Sequence, residues 1–155
     1  MPASQPATPA APQCEFCSDA SIPKEQFYET KLFRVLVARS SVTPGHMLLM
    51  PKSHNPHFYG LSLDELEEFG YLLKKVSFWA MRQTHAPGFS LVMNDGTPES
   101  AQDNHLMIHI IPRQFGDQAF TYLTQAVQQV MKQLDDATLE KTVADMKNLM
   151  QLPQA

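Results

Sequence analysis

At 155 residues the chain has room for one core of ordinary size and not for two. Its 43% hydrophobic and 18% charged residues suit a globular domain, and a net charge of -4 argues against a nucleic-acid polymer as partner. No apolar run reaches the roughly 20 residues that cross a bilayer, and no basic-then-apolar leader opens the chain, so the expectation is a cytoplasmic protein without a membrane partner.

Residues 1–13, MPASQPATPAAPQ, offer almost no large apolar side chain and predict a disordered Pro/Ala-rich tail, because burial cannot offset the entropy of ordering it. Strand-like residues at 27–29 and 33–38, split by Thr30-Lys31, predict a hairpin. Pro44-Gly45 turns the chain into a third strand, 46–50, closed by Pro51. Ser62-Leu63-Asp64-Glu65 reads as a capping box. Leu66, Phe69, Leu73, Val76 and Ala80 keep helical spacing behind it, which predicts a long helix over about 63–84. Pro87-Gly88 ends that region, and 89–93 predict a fourth strand running into Asn94-Asp95-Gly96. A fifth strand carries His105-Leu106-Met107-Ile108-His109-Ile110-Ile111-Pro112-Arg113. Beyond Gly116, Phe120, Leu123, Val127, Val130 and Leu134 share a helical stripe, and a last amphipathic segment covers about 137–149. Together these predict an antiparallel α+β domain at 14–116, a five-stranded sheet with one long helix, and C-terminal helices at 117–155 packed on the same domain.

Strand alternation places His105, Met107 and His109 on one face and Leu106, Ile108 and Ile110 on the other, so one face packs while the other displays chemistry. Cys14, Cys17, His54 and His105 provide two thiolates and two imidazoles, the ligand set of tetrahedral zinc. The C-x-x-C follows a tail rather than a strand, which favours metal over disulfide exchange; two unligated thiols are the plainer alternative. His46, after a turn glycine, either lines a site or satisfies a loop carbonyl. His57 and His85 read as surface residues, Lys52 as a solvated strand-end charge, and Met47, Met50, Met81 and Met93 as core filler. His-x-Met-x-His also admits Cu(I), a reading ranked behind the others.

Pro44-Gly45-His46, Pro51-Lys52-Ser53-His54, Asn94-Asp95-Gly96 and the tract ending in Pro112-Arg113 together resemble the histidine-triad (HIT) family of nucleotide hydrolases and transferases, over roughly residues 14–113. The resemblance implies a HIT-like fold, a purine nucleotide or nucleoside phosphate as ligand, and zinc on Cys14, Cys17, His54 and His105, as in bacterial members. It also implies a homodimer paired through the long helix and an edge strand, for which Phe69, Phe78 and Trp79 are available. In the family the middle histidine of the triad attacks the α-phosphate. Here that position is Met107 and the third is His109. A thioether sulfur is non-basic and has no proton to exchange, so little or no turnover by the family's covalent route is expected. Ahead of the first histidine the family has Gly-Gln-Ser/Thr-hydrophobic, where this chain has Ser100, Ala101, Gln102 and Asp103. A one-residue slip lets Gln102 serve as the family glutamine, Asp103 adds charge that repels phosphate, and Asn94 keeps its place.

Three readings follow. The first is a nucleotide-binding protein derived from a hydrolase or nucleotidyltransferase of nucleoside phosphoramidates or dinucleotide polyphosphates, its covalent catalysis lost, with Asn94, Gln102 and His109 on the phosphate. The second is an active hydrolase in which His109 or His46 activates water. The third is a non-enzymatic interaction module.

Overall fold

A computed structural model of the chain describes residues 14, 16, 17, 22, 24–93, 95, 105–117 and 134–150. Two compact units divide it, 1–117 and 118–155. In the first, β1 (Gln26–Glu29), β2 (Phe33–Val37), β3 (Met47–Pro51), β4 (Gly88–Met93) and β5 (Ile108–Arg113) form one sheet in the order β1-β2-β3-β5-β4. Neighbouring strands are antiparallel throughout. Helix α1 (Leu63–Thr84) joins β3 to β4, after a 3-10 turn at Phe58–Gly60.

The capping box forms as its sequence requires. The Ser62 hydroxyl accepts the Glu65 N–H at 3.3 Å, and the Glu65 carboxylate accepts the Ser62 N–H at 2.8 Å. Leu72, Val76, Ser77 and Ala80 are the buried residues of α1, with Phe69 and Leu73 packed beside them. The buried row therefore runs along the i, i+4 line 72, 76, 80. That line takes in Leu72, which the sequence stripe omits, and leaves Leu66 36% exposed. His85 caps the helix in the left-handed region at φ 53 and donates its N–H to the Met81 carbonyl.

Phe33, Val35, Met47, Leu49, Ile108 and Ile110 pack with the buried face of α1 and with Leu106. The alternate residues Leu36, Leu48 and Met50 turn to the opposite face and form a second cluster with Ile22 and Ala38, against which Phe16 and Met107 pack. Both sheet faces are thus covered at β2 and β3, which is why these strands read as nearly continuous apolar runs.

The tract of histidines differs from its expected form. β5 begins at Ile108, so His105 and Met107 lie on extended chain ahead of the strand, and only His109 stands in the ladder, opposite Leu48 and Val92. Pro51 has no N–H to offer, so the β3–β5 pairing stops at Leu49–Ile108. The Leu106 N–H goes instead to the Asn55 carbonyl at 2.7 Å. Facing still alternates: Leu106 and Ile108 enter the α1-side core and Met107 the opposite one.

In the second unit α2 (Asp136–Leu149) is N-capped by Asp135, whose carboxylate accepts the Thr138 N–H at 2.8 Å. Leu139, Val143 and Met146 lie along one exposed face of it. The expected stripe from Phe120 to Val130 lies outside the described residues. Among the described residues no helix is long and apolar enough to cross a membrane.

Candidate functional site

A turn sets the first cluster. The Cys17 N–H donates to the Cys14 carbonyl at 3.1 Å, and Arg34 Nη1 donates to the Phe16 carbonyl at 3.1 Å, fastening that turn to β2. Cys14 Sγ lies 3.5 Å and Cys17 Sγ 3.6 Å from His105 Nδ1, while Cys17 Sγ lies 3.3 Å from His54 Nδ1. All four candidate ligand atoms fall within 4.8 Å of one another. A tetrahedral cation with sulfur at ~2.3 Å and nitrogen at ~2.0 Å separates the two by about 3.5 Å, so the spacing suits a four-coordinate centre. His105 Nε2 stands 2.8 Å from the Pro51 carbonyl, which can only accept. Nε2 therefore carries the proton, and Nδ1 turns its lone pair toward the sulfurs.

A second pair lies on the face of the sheet away from α1. The Val42 N–H donates to His46 Nδ1 at 3.2 Å, so a neutral His46 carries its hydrogen on Nε2. That nitrogen is 3.0 Å from His109 Nδ1, to which it donates, leaving the hydrogen of a neutral His109 on Nε2. Burial lowers the pKa of both rings, and the neighbouring His109 lowers that of His46 further, so both are neutral at pH 7. The loop that aims His46 is held by the Thr43 hydroxyl, which donates to the Pro112 carbonyl at 2.8 Å, and by the Ala38 N–H, which donates to the His46 carbonyl at 2.9 Å. Gly45 stands at φ +78, where a Cβ would meet Thr84 Cγ2 at 2.4 Å; the turn requires glycine for both reasons.

Met107 is half-buried and, like Phe16, packs against the second cluster. Asn94, Gln102 and Asp103 lie outside the described residues. Asp95 is described: its carboxylate accepts the Phe58 N–H at 2.9 Å and sits 2.6 Å from His57 Nδ1. His57 is thus not the plain surface residue expected, since its ring also stacks on Tyr59 at 4.8 Å. Lys52, read as a solvated charge, pairs with Glu29 at 3.0 Å. His85 is exposed, as expected. Met47 and Met50 fill the core, whereas Met93 is 41% exposed on β4, whose side chains alternate outward. Phe69 packs on Phe33 and Phe58, and Trp79 on Phe27 and Tyr28, so of the three aromatics expected at a dimer contact only Phe78 is largely exposed. The Val42 N–H and the Pro51 carbonyl, which set the histidine tautomers, went unread because backbone groups leave no residue-type signature.

Residues 19–116 match the family model described as HIT domain. Over 95 residues the chain is 32% identical to the bifunctional bis(5'-adenosyl)-triphosphatase/adenylylsulfatase FHIT of Arabidopsis thaliana, which covers 61% of this chain and 53% of that protein. The chain thus spans about half the length of that relative. A HIT family protein of Bacillus subtilis shares the fold with a TM-score of 0.73 at 22% identity, over 92% of this chain and 99% of that one. A Zn-bound histidine triad family protein of Mycobacterium smegmatis aligns with a TM-score of 0.54 at 24% identity, over 61% of this chain and 68% of that one.

Proposed function

Because the chain belongs to the HIT family, we propose that it binds a purine nucleoside monophosphate, or the equivalent part of a phosphoramidate or dinucleotide polyphosphate, without the family's covalent turnover. The observation that carries this reading is the hydrogen-bond chain from the Val42 N–H through His46 to His109, which leaves His109 Nε2 a proton donor. A donor holds a phosphate oxygen. For His109 to act instead as a base on water, both rings must reverse, which sets a hydrogen on His46 Nδ1 against the Val42 N–H. That clash counts against the hydrolase reading with His109 or His46 as base. Half-buried Phe16 and Met107, packed on the buried cluster of Leu36, Leu48 and Met50, offer a purine base an apolar surface on the same face, since Leu48 of that cluster lies directly across from His109. Asn94 and Gln102 complete the phosphate contacts in this reading.

Cys14, Cys17, His54 and His105 would hold zinc, and two thiols with two imidazoles at these separations fit it. Bound there, with four protein ligands and no open position, the ion supplies a cross-link rather than an activated water. A reducing compartment such as the cytoplasm, which keeps both thiols available, is the setting this reading requires. The same reading makes the protein a homodimer through α1 and edge strand β4, supported by exposed Phe78 on the helix and by Leu91 and Met93, 46% and 41% exposed, on the strand.

Calorimetry with AMP tests the proposal beside turnover assays with adenosine phosphoramidate. Expected are saturable AMP binding weakened about tenfold by His109→Ala, and no turnover. Turnover in the parent that vanishes in His109→Ala would establish the hydrolase reading instead. No AMP binding at millimolar concentration would leave the interaction module.

A further inference from the structure

A cleft of about 700 Å³ opens on the α1 side of the sheet, away from the face that carries His46, His109 and Met107. Phe27, Val37 and Met47 line it from β1, β2 and β3, and Trp79, Arg82 and Gln83 from one face of α1. Val37 and Met47 are cross-strand partners, yet Val37 is 45% and Phe27 47% exposed. The cause lies on the helix: at the end of α1 the residues over these strands are the long polar Arg82 and Gln83 rather than apolar ones, so the strand side chains stay uncovered. Among the described residues the Arg82 guanidinium has no acidic partner and lies 6.0 Å from the centre of the Phe78 ring. Lys75, the other cation nearby, donates to the Tyr28 hydroxyl at 3.1 Å and lies 4.9 Å from the centre of the Trp79 ring, outside the cleft lining. Phe27 and Trp79 meet edge to face at 6.0 Å, an arrangement that a third ring can extend.

We infer that this cleft is a second binding site, for a small aromatic monoanion whose ring packs among Phe27, Val37 and Trp79 and whose charge is met by Arg82. The volume falls within the ~300–1,000 Å³ of small-molecule sites, and an apolar lining with one convergent cation at the rim is the composition such sites show. One guanidinium matches one negative charge, and a planar carboxylate or sulfonate suits its fork of donors. The site uses no group of the nucleotide reading and stands independently of it.

Trp79 is the chain's single tryptophan, so its fluorescence reports occupancy directly. The full chain is titrated with 1-anilinonaphthalene-8-sulfonate and with its uncharged analogue N-phenyl-1-naphthylamine. Saturable quenching by the anion at one equivalent is expected. Arg82→Gln should weaken the anion about tenfold and leave the neutral probe unchanged, and Val37→Phe, which fills the cleft from a half-exposed position, should weaken both. Circular dichroism and melting verify that each variant is folded. Absence of saturable quenching, whether because another part of the chain or a second copy occupies the cleft or because the cleft does not bind, overturns the proposal. So does an Arg82→Gln protein in which the anion binds as tightly as in the parent.

Discussion

Met107→His returns a ring nitrogen to the place where the family's attacking histidine stands, and its effect can be worked out in both stability and rate. Position 107 is half-buried, packed on the Leu36–Leu48–Met50 cluster and carried on chain that joins no ladder. An imidazole there displaces no fully buried atom, and losing about half of a methionine's burial costs ~1 kcal/mol, a fall of about 3 °C in Tm. The rate gain is larger. A positioned group of this kind is worth ~10³–10⁴-fold, or about 4–5.5 kcal/mol of barrier, and in the proposed reading His109 supplies a proton donor for the phosphate. We expect kcat/KM for adenosine phosphoramidate to rise at least ~10³-fold, with an adenylyl group trapped on residue 107 after acid quench and located by mass spectrometry. A variant that stays folded and binds AMP yet gains less than tenfold would refute the reasoning, as would a parent that already turns over at the variant's rate.

On the proposed zinc binding by Cys14, Cys17, His54 and His105, chelation or Cys17→Ser should lower Tm by about 10 °C, since an ion present at ~1,000 times its Kd adds about 4 kcal/mol; inductively coupled plasma mass spectrometry of the same samples checks for zinc loss. His46 is buried and His109 half-buried, and desolvation holds both pKa values below the usual 6.5. The unfolded chain therefore takes up protons first as pH falls. The stability these rings contribute is complete above pH 6.5 and is lost as pH drops through their folded values. Denaturant melts of parent and His109→Gln between pH 7.5 and 5 should converge on acidification, and a constant difference would contradict the sign. Leu72→Ala, at 0% exposure between α1 and the sheet, should cost ~3–5 kcal/mol in urea unfolding with no change in AMP affinity.

Much of this architecture is written locally. The capping box at Ser62–Glu65 and the glycine at 45 each answer to one rule, and both elements form where their residues require. The four candidate metal ligands were legible because residue type and spacing carry the chemistry. Other features depend on which segments meet. Where β5 starts is decided by Pro51, which lies in another strand, and whether His57 is idle depends on Asp95, 38 positions along. The tautomers of His46 and His105 rest on a main-chain N–H and a main-chain carbonyl, groups every residue possesses and no motif distinguishes. How far the aromatics of α1 are exposed has a related cause. Helical period places Phe69 and Trp79 on a face, but only the strands opposite determine whether that face is already covered.

The proline that interrupts the β3–β5 ladder has a consequence for how such a chain could change. Position 107 hangs between two piers, the cysteine-histidine anchor at 105 and the first rung of the sheet at 108, and belongs to neither. On the reading proposed above, exchanging what hangs there alters reactivity while both piers keep their footing, so a scaffold of this kind sheds its chemistry in a single substitution and persists as a receptor.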